Sequence, residues 1–372
     1  MSFDSLPFFE QRHRALADQL DSFIAEQIAP LAEHDETRTE STARAYVAKL
    51  SEAGFLRSIG THDIRTISLI RERLAYTSSL ADSMFAMQGL GSLPIALAGS
   101  DGQKAEWLPR VQRGAIAAFA LTEPAAGSDP AAMSLRAVRR GDTYSLSGEK
   151  TFISNAGLAD VYVVFARTAD GHQSAHSAFI VPGDARGLRT EPIELIAPHP
   201  IGRVIFERVH VPDSARIDDE GMGLRIAYAT LDLFRSTVGA AACGMARRAL
   251  DEAVRYAAQR EQFGRPIGKF QGIQFMLADM ATELAAAHLL VAQGAAEADA
   301  RGPNVKQFAS MAKLYAADHA HAIIDRAVQI HGGNGVVRGT HVERLYREVR
   351  ALRIYEGTSE IQRLVIAREL LP

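Results

Sequence analysis

Cysteine is nearly absent: Cys243 is the one thiol in 372 residues. An internal disulfide is excluded, which fits a reducing compartment and a cytoplasmic protein. Charge of one sign is missing too, with 41 Lys and Arg against 44 Asp and Glu, a formal net of −3. That balance offers no basic footprint for nucleic acid or for an anionic membrane surface. No apolar run approaches the ~18 residues of a membrane span. The opening MSFDSLPFFEQRHR carries Asp4 and Glu10 and lacks an apolar core, unlike a transit or signal peptide. No Cys/His set has zinc spacing, and His319 and His321 lie two apart on an expected helix, facing different ways. A phosphate-binding Gly-x4-Gly-Lys-Ser/Thr and a Gly-x-Ser-x-Gly nucleophile elbow are also absent. Metal hydrolysis and serine acyl transfer lose support, and no metal is expected.

What is present is an ordinary globular composition, 47% hydrophobic and 23% charged. The length predicts two to three domains at roughly 150 residues each. Proline divides the chain. Seven of the fourteen prolines fall between Pro124 and Pro212, and three follow, Pro266, Pro303 and Pro372. Proline breaks helix interiors, so its density marks strand- and turn-rich structure and its scarcity permits long helices. Leu16, Leu20, Phe23, Ile24 and Ile28 predict an amphipathic helix, and further helices are expected over Ala45–Ala53, ended by Gly54, and from Ile67 through Met87. Tyr144–Gly148, Val161–Ala166, Ala178–Val181 and Val204–Val211 read as strands. Helical stripes return at Ile273, Met276, Leu277, Met280 and Leu284, and at Ile323, Ile324, Ala327 and Val328. The expected domains are 1–117 helical, 118–222 β and 223–372 helical.

Five segments carry candidate chemistry. Phe119–Asp129 (FALTEPAAGSD) offers the hydroxyls of Thr122 and Ser128 beside Pro124 and Gly127, suited to a ring carbonyl or a phosphate, or simply a helix-to-sheet loop. In Gly148–Asn155 (GEKTFISN) an aromatic two residues before a hydroxyl suits a flat ring stacked on one side and hydrogen-bonded at its edge, although Phe152 would equally serve a core strand. Arg260–Gln271 (REQFGRPIGKFQ) places three cations around a turn, fit for a pyrophosphate or a solvated hairpin. Gln329–Gly335 (QIHGGNG) could bring backbone amides to an anion or cap a helix. In Arg353–Arg363 (RIYEGTSEIQR), Glu356 precedes a helix start that Ser359 could cap. A carboxylate there is a general base if desolvated and a surface residue if not.

Taken together and in order, these segments resemble the acyl-CoA dehydrogenase family over nearly the whole chain. The resemblance implies an α+β, mainly α fold: an N-terminal helical domain, a central β-barrel-like domain and a C-terminal four-helix bundle. It implies FAD between the β domain and the bundle, in a homotetramer built as a dimer of dimers. Phe119 through Ser128 would hold the flavin, with Leu121 and Thr122 at its pyrimidine edge, and Ser128 would also touch the acyl-CoA. Phe152 and Ser154 would lie against the flavin. Arg260, Gln262, Phe263, Gln271, Gln329, Gly332 and Gly333 would reach the FAD of a neighbouring subunit, while Thr358 and Glu360 match its adenosine contacts. Asp232 and Arg235 match positions contacting CoA, and Tyr355 lies on the substrate side.

Glu356 matches the catalytic base. The position that carries the acid in relatives of isovaleryl-CoA dehydrogenase is Phe234 here, which accepts no proton. The implied reaction is α,β-dehydrogenation of an acyl-CoA to the trans-2-enoyl-CoA in fatty acid metabolism, with electrons passing to an electron-transfer flavoprotein. An acyl-CoA oxidase, a dehydrogenase of carrier-protein thioesters and a non-catalytic, nucleic-acid-associated flavoprotein are the alternatives; the net charge and the presence of Glu356 speak against the last. The chain departs from the family pattern at Ser58–Arg65, at Glu194–Gly202 and at Gly339, where an acidic residue is usual.

Overall fold

Residues 2–170 and 175–371 are described by a computed structural model. The helices before the sheet are α1 (Gln11–Phe23), α2 (Ala29–Ala32), α3 (Thr39–Glu52), α4 (Ile64–Thr77), α5 (Ser79–Ala98) and α6 (Asp101–Gln112). The strands follow as β1 (Ala117–Ala120), β2 (Arg136–Arg140), β3 (Thr143–Ser154), β4 (Val161–Arg167), β5 (His176–Pro182), β6 (Leu188–Pro192), β7 (Ile201–Pro212) and β8 (Arg216–Ile217). Beyond them lie α7 (Gly223–Gln259), a small hairpin of β9 (Glu261–Gln262) and β10 (Arg265–Pro266), α8 (Gln271–Asp299), α9 (Val305–His331), α10 (His341–Glu348) and α11 (Ser359–Leu370). The chain forms two compact units, Met1–Glu33 with His62–Asp82 and Asp232–Pro372, and His34–Thr61 with Ser83–Leu231.

The first unit is helical. α8 and α9 pack side by side, α11 and α10 lie on α9, and α4 packs on α8. The buried stripe of Met280, Leu284, Ile323, Ile324 and Ala327 forms their seam, as the helical period predicts. Helix α7 approaches α4 so closely that a Cβ on Gly244 would sit 2.1 Å from the Glu72 carbonyl. A buried carboxylate fixes that contact: Glu72 accepts from Arg247 at 2.8 Å and from Arg73 at 2.9 Å.

The second unit holds a mixed sheet of order β6-β7-β3-β2-β4-β5-β8, with β1 parallel to β4. Its first strand is pinned where it begins. Gln88 bridges Ala115 and Ala117, and Asp160 accepts from the Ile116 amide at 2.7 Å. Gln103 on α6 donates to the carbonyls of Ser214 and Arg216, tying that helix to the end of the sheet.

Two local expectations need correction, and the strand set needs completing. The helix expected from Ile67 through Met87 is two helices, because Ser78 adopts an extended backbone and its hydroxyl accepts from the Ala81 amide to start α5. The four expected strands are the cores of β3, β4, β5 and β7, and β1, β2, β6 and β8 join them. β1 is a wholly buried Ala-Ala-Phe-Ala with no alternation to betray it. An 18-residue window of α8 reaches a mean hydropathy of 1.4, so one helix is apolar enough by length and composition to cross a membrane, and only a third of that window is buried.

Candidate active site

The segment between Arg353 and α11 carries strained backbone at a titratable group. Glu356 has φ 52° and Gly357 φ 88°, consecutive left-handed residues. Glycine adopts that region freely, and a glutamate does so at a cost of about 1–2 kcal/mol. The neighbours over-determine the turn. Gln362 on α11 donates to the Glu356 carbonyl at 3.0 Å and the Gly357 carbonyl at 2.9 Å, and Lys313 on α9 donates to the Gly357 carbonyl at 2.8 Å. Asp318, one turn along α9, gathers Arg353 and Ser359 on one oxygen and Arg363 on the other. Burial alone would raise the Asp318 pKa; these donors hold it below the usual carboxylate range. The cap of α11 is Thr358, whose hydroxyl accepts from the Ile361 amide, and Ser359 instead serves Asp318. The sequence placed the cap one residue late.

The carboxyl of Glu356 is half-buried, and its Oε2 is buried without a hydrogen-bond partner. Desolvation pushes its pKa upward; Arg71, Lys313 and Arg235 pull against that, and Asp82 adds to it. Arg71 is itself buried on α4, held by both oxygens of Asp82 at 2.8 Å and by Thr237 at 2.9 Å. Its charge also acts on the Tyr355 hydroxyl, whose pKa desolvation raises. Arg235 pairs with Asp232 at 2.5 Å, and burial raises the Asp232 pKa. Phe234 is packed away in the interior. The structure thus brings Asp232, Arg235, Tyr355 and Glu356 into one electrostatic cluster and adds Arg71, Asp82 and Lys313, which sequence reasoning missed. Their signal was faint: Arg71 and Lys313 are cations within otherwise apolar helical stripes.

The other unit presents the segments from which flavin contacts were expected. Leu121 is buried, Thr122 half-buried and Ser128 exposed. Phe119 stands apart from the expectation: its side chain packs in the core, ring to ring with Phe165 at 4.9 Å, so only its backbone remains for a ligand. The two motifs are locked by a pair that spacing did not reveal. Wholly buried Lys150 donates to Glu123 at 2.8 Å and to the Leu121 carbonyl at 2.9 Å, and the Thr151 amide donates to the Thr122 carbonyl. Beyond Lys150 the register of β3 against β7 shifts, and Phe152, at φ 54°, turns outward with 58% of its surface exposed. Ser154 meets His199 at 2.7 Å, a residue of the departing segment Glu194–Gly202. A groove of about 820 Å³ elsewhere in this unit is lined by Trp107, Arg186, Arg208 and His210 and by none of the motif residues.

Arg260, Gln262, Phe263, Gln271, Gln329, Gly332, Gly333 and Glu360 are exposed; of these, Glu360 alone acts on the cluster, through Lys313. The two segments that carry most of them are nonetheless linked. Tyr256, near the end of α7, stacks on His331 and accepts a hydrogen bond from Asn334. Thr358 is occupied in capping α11. At Gly339, φ is 90° and the amide donates to Glu343, so a turn stands where an acidic residue was expected.

Family models match almost end to end: the acyl-CoA dehydrogenase N-terminal domain over residues 10–115, the middle domain over 118–209 and the C-terminal domain over 221–371. The chain belongs to the acyl-CoA dehydrogenase family. It is similar to a 3-(aryl)acrylate reductase of Clostridium sporogenes, 39% identical over 98% of this chain and 100% of the relative. It is equally similar to an acyl-CoA dehydrogenase of Bacillus subtilis, 39% identical over 94% and 95% of the two chains. Among solved structures, a glutaryl-CoA dehydrogenase from Mycobacterium smegmatis in complex with FADH2 superposes with a TM-score of 0.89 at 30% identity, covering 99% of this chain and 96% of that one. A chain from work on the electron transferring flavoprotein of Acidaminococcus fermentans and flavin-based electron bifurcation superposes at 0.92 with 35% identity, each chain covered in full.

This acyl-CoA dehydrogenase family member is an oxidoreductase with FAD as its cofactor. Its residues suit that group. An outward-turned aromatic, Phe152, lies two residues from the Ser154 hydroxyl, and the hydroxyls of Thr122 and Ser128 have no partner among the described residues. Exposed aromatic surface beside free hydroxyls is what a flat ring with polar edges requires.

Proposed function

We propose that the enzyme removes two hydrogens from adjacent carbons of an acyl-CoA, giving the trans-2-enoyl-CoA, with Glu356 taking the α-proton. The observation that carries this reading is the Glu356 carboxyl: a buried, unpartnered oxygen on a turn pinned by two helices. An α-proton next to a thioester is weakly acidic, so its base needs a raised pKa and a fixed position. Desolvation supplies the first and the Lys313 and Gln362 contacts the second. The Glu356 amide has no acceptor among the described hydrogen bonds and is free to donate to the thioester oxygen as charge builds there. FAD supplies the two-electron chemistry by accepting the β-hydrogen as hydride. Arg235 and Asp232 serve the CoA end, and Arg71 sets a buried positive charge against the acid.

The name of the Clostridium relative favours a second reading, the same chemistry run toward saturation. Protonated Glu356 would then return the α-proton to an enoyl thioester. Electron transfer to or from an electron-transfer flavoprotein fits both readings and is supported by the Acidaminococcus match. A homotetramer fits the surface: Phe263 is 93% exposed on its hairpin, and α8 leaves most of an apolar face open.

Anaerobic titration of the yellow protein with a panel of acyl-CoA thioesters tests the function, bleaching marking a substrate. Glu356→Gln should bleach at least about a thousandfold more slowly with its spectrum intact, since the base is lost. Bleaching at the wild-type rate would remove Glu356 from the chemistry.

A further inference from the structure

Lys313 is a buried ammonium without a carboxylate within salt-bridge distance among the described residues. Its one hydrogen bond goes to the Gly357 carbonyl, one residue beyond Glu356. Burying a lysine is costly, and where packing alone is needed a methionine or leucine fills the same volume without the penalty. The charge is therefore the informative part of this side chain, and it is aimed at the turn that carries the carboxylate.

We propose that Lys313 is a positioning residue for Glu356: its buried ammonium tethers the turn that carries the carboxylate through the Gly357 carbonyl and sets a positive charge behind that turn. The inference rests on Glu356 being the base. The groups facing Lys313 are Glu356 on the turn, Asp318 on its own helix, Arg235 on α7 and Glu360 on α11. Those facing Glu356 are Arg71, Lys313 and Arg235, opposed by Asp82. Burial lowers the Lys313 pKa to about 8, so the side chain is charged at neutral pH. Removing a cation that stabilises a carboxylate raises the carboxyl pKa, so the acid limb of the rate profile moves to higher pH. Gln362 grips the Gly357 carbonyl as well as that of Glu356, so the turn survives loss of the lysine while its orientation loosens and its electrostatics change.

The test is the pH profile of kcat/KM for the holoenzyme and two variants, with thermal midpoints measured alongside. Lys313→Met loses both charge and tether, whereas Lys313→Gln keeps a donor for the Gly357 carbonyl and loses only the charge. Both should move the acid limb up by about one pH unit. On the plateau Lys313→Met should fall by about tenfold through loss of orientation, and Lys313→Gln should fall less, since it keeps a donor for the Gly357 carbonyl. An acid limb unmoved in Lys313→Gln, with only the thermal midpoint lowered, would overturn the proposal and leave the lysine a packing residue. Should Lys313→Met not fold, the Gln variant decides alone. Glu356→Gln, run in parallel, separates the two inferences: if it turns over normally, the assignment of the base fails before Lys313 is reached.

Discussion

The lock between the two flavin motifs is a place where loss of one atom group has a calculable result. Lys150→Met fills nearly the same volume and removes the ammonium that bonds Glu123 and the Leu121 carbonyl. Breaking a buried ion pair from one side costs about 3–5 kcal/mol because the remaining charge is stranded. Here Glu123 keeps the Ser134 amide at 2.6 Å, the Ser134 hydroxyl at 2.8 Å and the Leu135 amide at 2.9 Å. Those three donors soften the loss, and about 3 kcal/mol is the expected cost. For a unit of this size each kcal/mol moves the midpoint by about 2–4 °C, so scanning calorimetry should show a fall of about 6–12 °C. FAD content after gel filtration should fall as well, because Leu121 and Thr122 lose their anchor. Glu123→Gln strands the lysine instead, and the double variant should cost about 2 kcal/mol less than the sum of the singles. A Lys150→Met protein melting within 2 °C of wild type, or additive singles, would refute the claim that this pair organises the flavin loops.

Three further outcomes follow from the geometry. Gly357→Ala forces a Cβ into φ 88° and to 2.6 Å from the Gln362 amide nitrogen, so steady-state kinetics should show kcat falling by about tenfold with KM little changed. Burial lowers the His199 pKa from 6.5 to about 4, so the neutral ring's contribution is whole above pH 6.5 and is lost as pH falls toward 4. Thermal midpoints at pH 7 and pH 5 should therefore diverge in the wild type and converge in His199→Asn; equal divergence in both would place the acid sensitivity elsewhere. If the proposed homotetramer uses the hairpin, Phe263→Ser, which removes its 93% exposed aromatic, should lower the mass seen by light scattering; an unchanged mass would remove the hairpin from the assembly.

Much of this was legible in the sequence because it is local. The stripe from Ile273 to Leu284, the stop at Gly54 and the strands around Val161 and Val204 each follow from neighbours within a turn or two. The motif containing Glu356 announced a carboxylate beside a helix start. What was hidden depends on distance along the chain. Lys150 meets Glu123 across 27 residues, Lys313 meets Gly357 across 44, and Arg71 meets Thr237 across 166. No period or spacing encodes such encounters, since only the packing of helices and the register of strands creates them. Short elements failed for a different reason. Four buried alanine-rich residues in β1 carry no alternation, and one hydroxyl more or less decides whether Thr358 or Ser359 begins α11.

The left-handed pair at Glu356 and Gly357 has a practical consequence for redesign. Because side chains from α9 and α11 stitch that turn through its carbonyls, the acid cannot be slid along the backbone to suit a different substrate without unpicking both seams. Its appetite for a proton can still be retuned from outside, by exchanging Arg71, Arg235 or Lys313 for neutral residues, each exchange making the acid stickier. Selectivity engineered in this scaffold therefore starts with the neighbours of the carboxylate and leaves the loop that bears it alone.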